Sequence, residues 1–300
     1  MTPVADPTLK FEREIVGLGR RRRAAPRVVD GGLPIEVGGG VGVADVADVA
    51  AGPPHSGLVI GCDEVGRGAL AGPVAVGLCL IDVRATRSVP KGLRDSKMLA
   101  EPRREELAPV ARAWGLAHAV GYASALEIDR IGISACLGLA GARALEELAA
   151  AGIDVSSATI ILDGQWDWLT PAVSRPLTVR TRIKADRDCA SVAAASVISK
   201  VARDRLMIEH DGSFPQYGWV RNKGYASEEH RDAILSHGPS ELHRHTWLSK
   251  MMAAPTEEAS IALDGLEGVE GLEAVDGLGL EDRVQLARES LGATADGSAA

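Results

Sequence analysis

Residues 61–68 read G-C-D-E-V-G-R-G, with two adjacent acids, Asp63 and Glu64, between an apolar run and a glycine-arginine-glycine turn. Leu58-Val59-Ile60 before them and residues 74–81 after them have the β-branched, aliphatic character of buried strands, at about 58–63 and 73–82. Carboxylates at such a place are unfavourable unless they pair with cations or bind a metal ion. Successive strand residues point to opposite faces, so the two acids share an ion only if the chain bends there. Gly66 and Gly68 supply the freedom for a bend. The same letters also fit a plain hairpin whose acids sit in water at the strand end.

Two further acids repeat the pattern. Asp163 closes the apolar run Ala158–Leu162 and is followed by Gly164. Asp186 ends I-K-A-D at 183–186, just ahead of a helix over 191–207 whose first turns are small residues and can pack tightly on a sheet. Alone, either acid fits a turn or a helix cap. Together, Asp63, Glu64, Asp163 and Asp186 come from three segments, each at an element boundary, and fit a divalent-ion site built of hard oxygen ligands. Four such charges repel without counter-ions, by roughly 4 kcal/mol per pair at about 4 Å and an effective dielectric near 20. Two divalent cations remove that conflict. A pair about 3.5–4 Å apart also suits in-line attack on a phosphate.

The elements needed to hold these acids read as a mixed α/β domain. The first two strands precede a loop at 91–99, a helix over 100–114 and a strand around 115–123. An apolar helical stretch from Ile128 to Leu148 leads to the strand that ends at Asp163. Residues 165–182, with Trp166, Trp168 and Pro171, read as an enlarged loop, and 228–236 as a short helix. Early strands joined through a helix to a later strand predict a mixed sheet flanked by helices.

Composition sets the limits. The chain has 300 residues, a net charge of -8 and 46% hydrophobic residues, with aromatics at only 3%, so the core must come from Ala, Val, Leu and Ile. The charge is uneven: residues 254–300 hold eleven acids against two arginines, residues 1–56 balance, and 57–252 carry +1. That near-neutrality is compatible with nucleic-acid binding if the bases cluster on one face. Three parts follow: a flexible extension over 1–56, a catalytic domain over 57–252 and an acidic tail over 253–300, whose frequent glycines predict disorder. The run Arg20–Arg23 reads as a solvated patch on the mobile arm. The four cysteines stand singly without a C-x-x-C pair, as buried small hydrophobes rather than a disulfide or zinc framework. With no apolar leader and no apolar run near 18 residues, a cytoplasmic protein with no membrane contact is expected.

The chain strongly resembles ribonuclease HII, the bacterial type 2 ribonuclease H. The resemblance rests on G-C-D-E-V-G-R-G-A-L-A-G-P-V (61–74), G-L-R-D-S-K-M-L (92–99), I-L-D-G (161–164), K-A-D (184–186), S-V-A-A-A-S-V-I-S-K-V-A-R-D (191–204) and Y-G-W-V-R-N-K-G-Y-A-S-E-E-H (217–230), in family order. It implies a ribonuclease H-like fold with a small C-terminal helical portion, acting as a monomer. It also implies endonucleolytic cleavage of RNA paired with DNA and of ribonucleotides embedded in duplex DNA, leaving 3'-hydroxyl and 5'-phosphate ends, with two divalent ions, Mn2+ or Mg2+. The family's metal-binding acids fall on Asp63, Glu64, Asp163 and Asp186. Its turn that reads the 2'-hydroxyl falls on Gly66, Arg67 and Gly68, which suits the one atom that separates RNA from DNA. Its junction tyrosine falls on Tyr225. Lys97, Lys184, Arg203 and Lys223 are candidate phosphate contacts, each equally readable as a surface base. His230 and His243 receive no role.

Two other readings remain. A type 3 ribonuclease H shares the acids, but lacks the arginine of the turn and carries an N-terminal binding domain for which residues 1–56 are short. A catalytically silent nucleic-acid binding module would gain nothing from clustered acids facing phosphates.

Overall fold

The computed structural model describes residues 6–18, 57–86 and 88–253. The arginine run, the remainder of the extension to residue 56 and the tail beyond 253 lie outside the described residues. In order, the elements are α1 (Lys10–Ile15), β1 (Leu58–Val65), β2 (Val74–Asp82), α2 (Glu101–Trp114), β3 (Ala117–Ala123), α3 (Ala125–Ile131), α4 (Ile133–Ala150), β4 (Thr159–Asp163), β5 (Thr178–Arg182), α5 (Ala185–Asp188), α6 (Ala190–Asp211), α7 (Trp219–Asn222), α8 (Glu228–His237) and α9 (His245–Ala253).

The five strands form one mixed sheet in the order β3-β2-β1-β4-β5. The meander β1-β2-β3 is antiparallel, whereas β4 runs parallel to β1, and β5 parallel to β4. Period-2 alternation divides β1 between two cores. Val59 joins α2 and α6 on one face, and Ile60 and Cys62 join α3 and α4 on the other. α6 lies unusually close to the sheet because Gly61 and Gly77 have no side chain: a Cβ on Gly61 would stand 2.1 Å from the Ser191 carbonyl carbon, and one on Gly77 2.6 Å from the Ala195 oxygen. That approach carries the small-residue face of α6, Ser191 to Ser199, onto the acid-bearing end of β1. α7, α8 and α9 close a third, smaller core with Leu70, Met207, Tyr217, Trp219 and Ile234.

Two expectations need correction. The stretch 165–182 is not all loop: Thr178–Arg182 is an edge strand, paired with β4 from Thr159↔Thr178 to Asp163↔Arg182. It is half-exposed and carries two arginines, so it lacks the apolar run that marks a buried strand. Residues 6–18 are also not a flexible arm. Thr8 bridges to Cys189, Leu9 and Val16 are buried, and the fully buried Glu12 carboxylate accepts hydrogen bonds from the Ser191 backbone N–H and hydroxyl, both at 3.0 Å. Glu12 thus caps α6 from the far end of the chain. Among the described residues, the four cysteines are free and buried, and no helix is long and apolar enough to cross a membrane.

Candidate active site

β1 continues through both acids. Its ladder to β2 includes Asp63↔Gly77, Glu64↔Val76 and Val65↔Ala75, so the turn begins at Gly66, after the carboxylates, and no bend separates them. Asp63 therefore shares the face of Gly61 and is buried beneath α6, where Ser196 hydrogen-bonds it. Glu64 points the other way, half-buried, with Arg67 at 3.8 Å. Asp163 ends β4, and its Oδ1 accepts the Ala185 N–H at 2.6 Å, which ties the start of α5 to the sheet. Lys184, in the left-handed region at φ 60°, makes the reversal from β5 into α5, and α5 carries the buried Asp186. The four acids thus gather at the ends of adjacent parallel strands and at the helix crossing them.

The electrostatics report that gathering. Burial, followed by the like charges of Glu64 and Asp163, pushes the Asp63 carboxyl well above the usual carboxylate range. Glu64 is raised by burial, against the pull of Arg67. Asp163 is raised by burial, although backbone N–H groups of Ala185 and Asp186 oppose it. Asp186 is raised to about 7 by burial and then by Asp163 and Asp95. Partial burial disfavours the Lys97 ammonium, yet Asp63, Asp95 and Glu64 outweigh it and hold the charge on. A group of acids all held towards the neutral form is short of positive charge.

The donor set fits a hard cation. Four carboxylates supply oxygen ligands, and the buried Oδ1 of Asp186 has no hydrogen-bond partner. Among the described residues, however, no three Asp, Glu, His or Cys side chains already stand close enough to hold an ion. A cation there would draw the carboxylates inward.

The turn after β1 is built for backbone presentation. Gly66 has φ +82°, and a Cβ there would stand 2.1 Å from Arg203 Nε. Gly68 lies outside the left-handed region, and a side chain on it would meet nothing within 4 Å, so the turn does not require glycine there. Its bare, exposed backbone leaves that face open.

Two expected phosphate contacts are structural. Arg203 is fully buried and donates to the carbonyls of Pro73 (2.8 Å), Lys223 (2.9 Å) and Ala71 (3.0 Å). Lys223 is buried in the left-handed region, its ammonium bonded to the Val220 carbonyl at 2.5 Å and to Glu101 at 3.3 Å. Both were exposed bases on the sequence reading because nothing local reveals a trap of carbonyls drawn from other segments. Lys97 and Lys184 remain exposed, Lys97 beside the acids. Tyr225 is half-buried, its ring flanked by Lys200 Nζ at 5.0 Å and the Arg203 guanidinium at 5.3 Å.

Several residues escaped the sequence reading. Arg244, fully buried, donates to the carbonyls of Gly66 (2.6 Å), Arg67 (2.7 Å) and Gly72 (3.2 Å). With their carbonyls held from behind, Gly66 and Arg67 are fixed. His243 accepts the Ser240 N–H at 2.9 Å, meets His230 Nε2 at 3.1 Å, and His230 Nδ1 bonds the Tyr225 carbonyl at 2.8 Å. The Ser240 donor leaves the proton of His243 on Nε2, so the chain runs Ser240 to His243 to His230 to Tyr225, with both rings neutral. Burial lowers both histidines, His243 to about 3. Asp95, almost wholly buried, lies against Asp186 and accepts the Lys97 N–H at 2.9 Å. Its signal was present, in the same D-S-K stretch that carries Lys97.

Comparison with known proteins gives the family and the fold. The family model for ribonuclease HII matches residues 60–250. A ribonuclease HII of Streptomyces griseus is 47% identical over 192 residues, 63% of this chain and 76% of that protein. One of Thermus thermophilus is 42% identical over 190 residues, 62% of this chain and 84% of that protein. Among solved structures, Bst-RNase HIII in complex with Mn2+ aligns at TM-score 0.53 and 25% identity, covering 69% of this chain and 71% of that one. The mixed sheet flanked by helices is the ribonuclease H-like fold. The chain belongs to the ribonuclease HII family, and with it to the ribonuclease H endonucleases.

Proposed function

We propose that this chain hydrolyses the RNA strand of RNA-DNA hybrids and cuts at ribonucleotides embedded in duplex DNA, leaving 3'-hydroxyl and 5'-phosphate ends. The observation that carries the proposal is the meeting of four cation-starved acids, Asp63, Glu64, Asp163 and Asp186, beside a turn whose carbonyls are pinned from behind. Those acids would hold two divalent ions, Mn2+ or Mg2+; the related structure with Mn2+ supports a divalent ion. When bound, such ions supply the positive charge that favours attack of water on phosphorus and stabilises the leaving oxygen. The chain's own residues bind and orient. Gly66, Arg67 and Gly68 offer backbone groups to the 2'-hydroxyl, and Tyr225 offers a ring face to the sugar across the RNA-DNA junction. Lys97 and Lys184 offer ammonium groups to phosphates. Residues 57–252, with 6–18 docked on them, form the catalytic unit in this reading.

The test is digestion of a DNA duplex holding one ribonucleotide, with Mn2+, Mg2+ or chelator, mapped to the nucleotide. Cleavage 5' of the ribonucleotide's 3' neighbour or at its own 5' phosphate, dependent on the ion and leaving a 5'-phosphate, is expected. Cleavage of all-DNA duplex at the same rate, or full activity in chelator, overturns the reading.

A further inference from the structure

Trp166 stands three residues beyond Asp163 and is 72% exposed, which is unusual for the largest apolar side chain. Three residues of chain span at most about 11 Å, so its backbone lies near the acid cluster. Its exposure is built in by the residues around it. On one side, the Gly164 N–H bonds the Arg182 carbonyl at 3.0 Å. On the other, the Asp167 carboxylate accepts the Leu169 and Thr170 N–H groups at 3.0 and 2.9 Å, Leu169 is fully buried, and Trp168 packs on α4. A segment anchored at both ends thus turns one indole to solvent. The paired end of β5 does the same with Ile183, 62% exposed, next to the exposed Lys184.

We infer that Trp166, with the exposed Ile183 at the same end of the β4–β5 pair, is a substrate contact that stacks on a base or sugar of the nucleic acid flanking the scissile phosphate. The inference rests on the proposed cleavage site. Its occupant follows from continuity with that site and from charge: the exposed bases Lys97, Lys184 and Arg187 ring the same end of the sheet and suit a phosphate backbone running past it. An aromatic face is tolerant of base identity, so the contact adds grip without reading sequence. At about 3.4 Å of strand per nucleotide, the contacted residue lies within a few nucleotides of the cut.

The experiment uses the full chain and DNA duplexes holding one ribonucleotide, with flanks shortened stepwise on either side. Binding is measured in an Asp63→Asn background, so that it is read apart from cleavage. Trp166→Ala should weaken binding to the long duplex by about 5- to 100-fold, and Trp166→Phe far less. The difference between Trp166 and Ala should vanish once one flank is cut past the contacted nucleotide. With Asp63 intact, KM should rise by the same factor while kcat at saturation holds. Equal binding of Trp166→Ala to the long duplex, a loss that persists at every flank length, or a Trp166-dependent self-association without nucleic acid each overturns the inference. A wild-type protein that binds these duplexes but cuts none of them sinks the proposed function instead, and the flank series still decides the role of Trp166.

Discussion

Two groups of charged side chains, drawn from separate segments, meet at β1 and the turn after it, and they are handled in opposite ways. The acids Asp63, Glu64, Asp163 and Asp186 crowd together with few donors, and each is pushed towards its neutral form. The guanidinium groups of Arg203 and Arg244 are buried as deeply, but six carbonyls drawn from residues 66–73 and 223 satisfy them. Burial lowers both, Arg244 to about 9 with a further push from Arg203, which still leaves Arg244 charged at neutral pH. A buried charge with its hydrogen bonds complete is a fastener. One left incomplete is waiting for something. In the proposed function the acids await a cation, and the arginines hold the turn against which substrate would lie.

Removing one member from each group should therefore give opposite signs in stability. Asp63→Asn should lower cleavage by on the order of 10³-fold while raising the melting temperature in chelator, because one repelling charge is gone. Equal activity, or a lower melting temperature, would break the contrast. Arg244→Ala strands the carbonyls of Gly66, Arg67 and Gly72 and should destabilise by about 2–4 kcal/mol, a drop of roughly 5–15 °C in thermal unfolding. In the protein that stays folded, cutting at a single ribonucleotide should suffer more than cutting of a long hybrid. An unshifted melting curve would remove Arg244 as a fastener.

The smallest effect is in pH. Asp186, with a folded value of about 7 against about 3.9 unfolded, contributes stability below the unfolded value that is lost as pH rises through 7, and Asp63 shifts in the same direction. His230 and His243 act with the opposite sign, and half of the unfolded imidazoles are still protonated at about pH 6.5. Their rise offsets the fall from the acids between about pH 6.5 and 8.5, so the acid share is read as the difference between the wild type and Asp186→Asn in chelator. That difference should grow in favour of the variant by about 0.5 kcal/mol over this range, after discounting Asp186 for solvent screening. Mn2+ or Mg2+ should reverse it, and Arg244→Ala should leave it unchanged. A difference that does not change with pH would count against cation-starved acids.

The stretches that carry the acids were readable because an apolar run leading to a carboxylate, with glycine close behind, is a local pattern at Asp63 and again at Asp163, although β1 runs on through Glu64 to Val65 before its glycine. The sheet was legible for the same reason, except at β5, where T-V-R-T-R is an exposed edge whose partner, not whose residues, makes it a strand. Helix α1 was missed because six residues cannot sustain a helix alone. The roles of Arg203, Arg244 and the His230–His243 pair were not visible, since each depends on carbonyls or rings delivered from elsewhere. A base in a sequence looks the same whether water or a peptide oxygen receives its protons.

The Glu12–Ser191 bond joins positions 179 residues apart. During synthesis at about 5–20 residues per second, the first half of that clasp waits roughly 10–35 s for the second to leave the ribosome. α6 is then the last large piece to be latched. Until it is, nothing presses Ser196 against Asp63, so the acid cluster of a growing chain stays open until about two thirds of its 300 residues have been made.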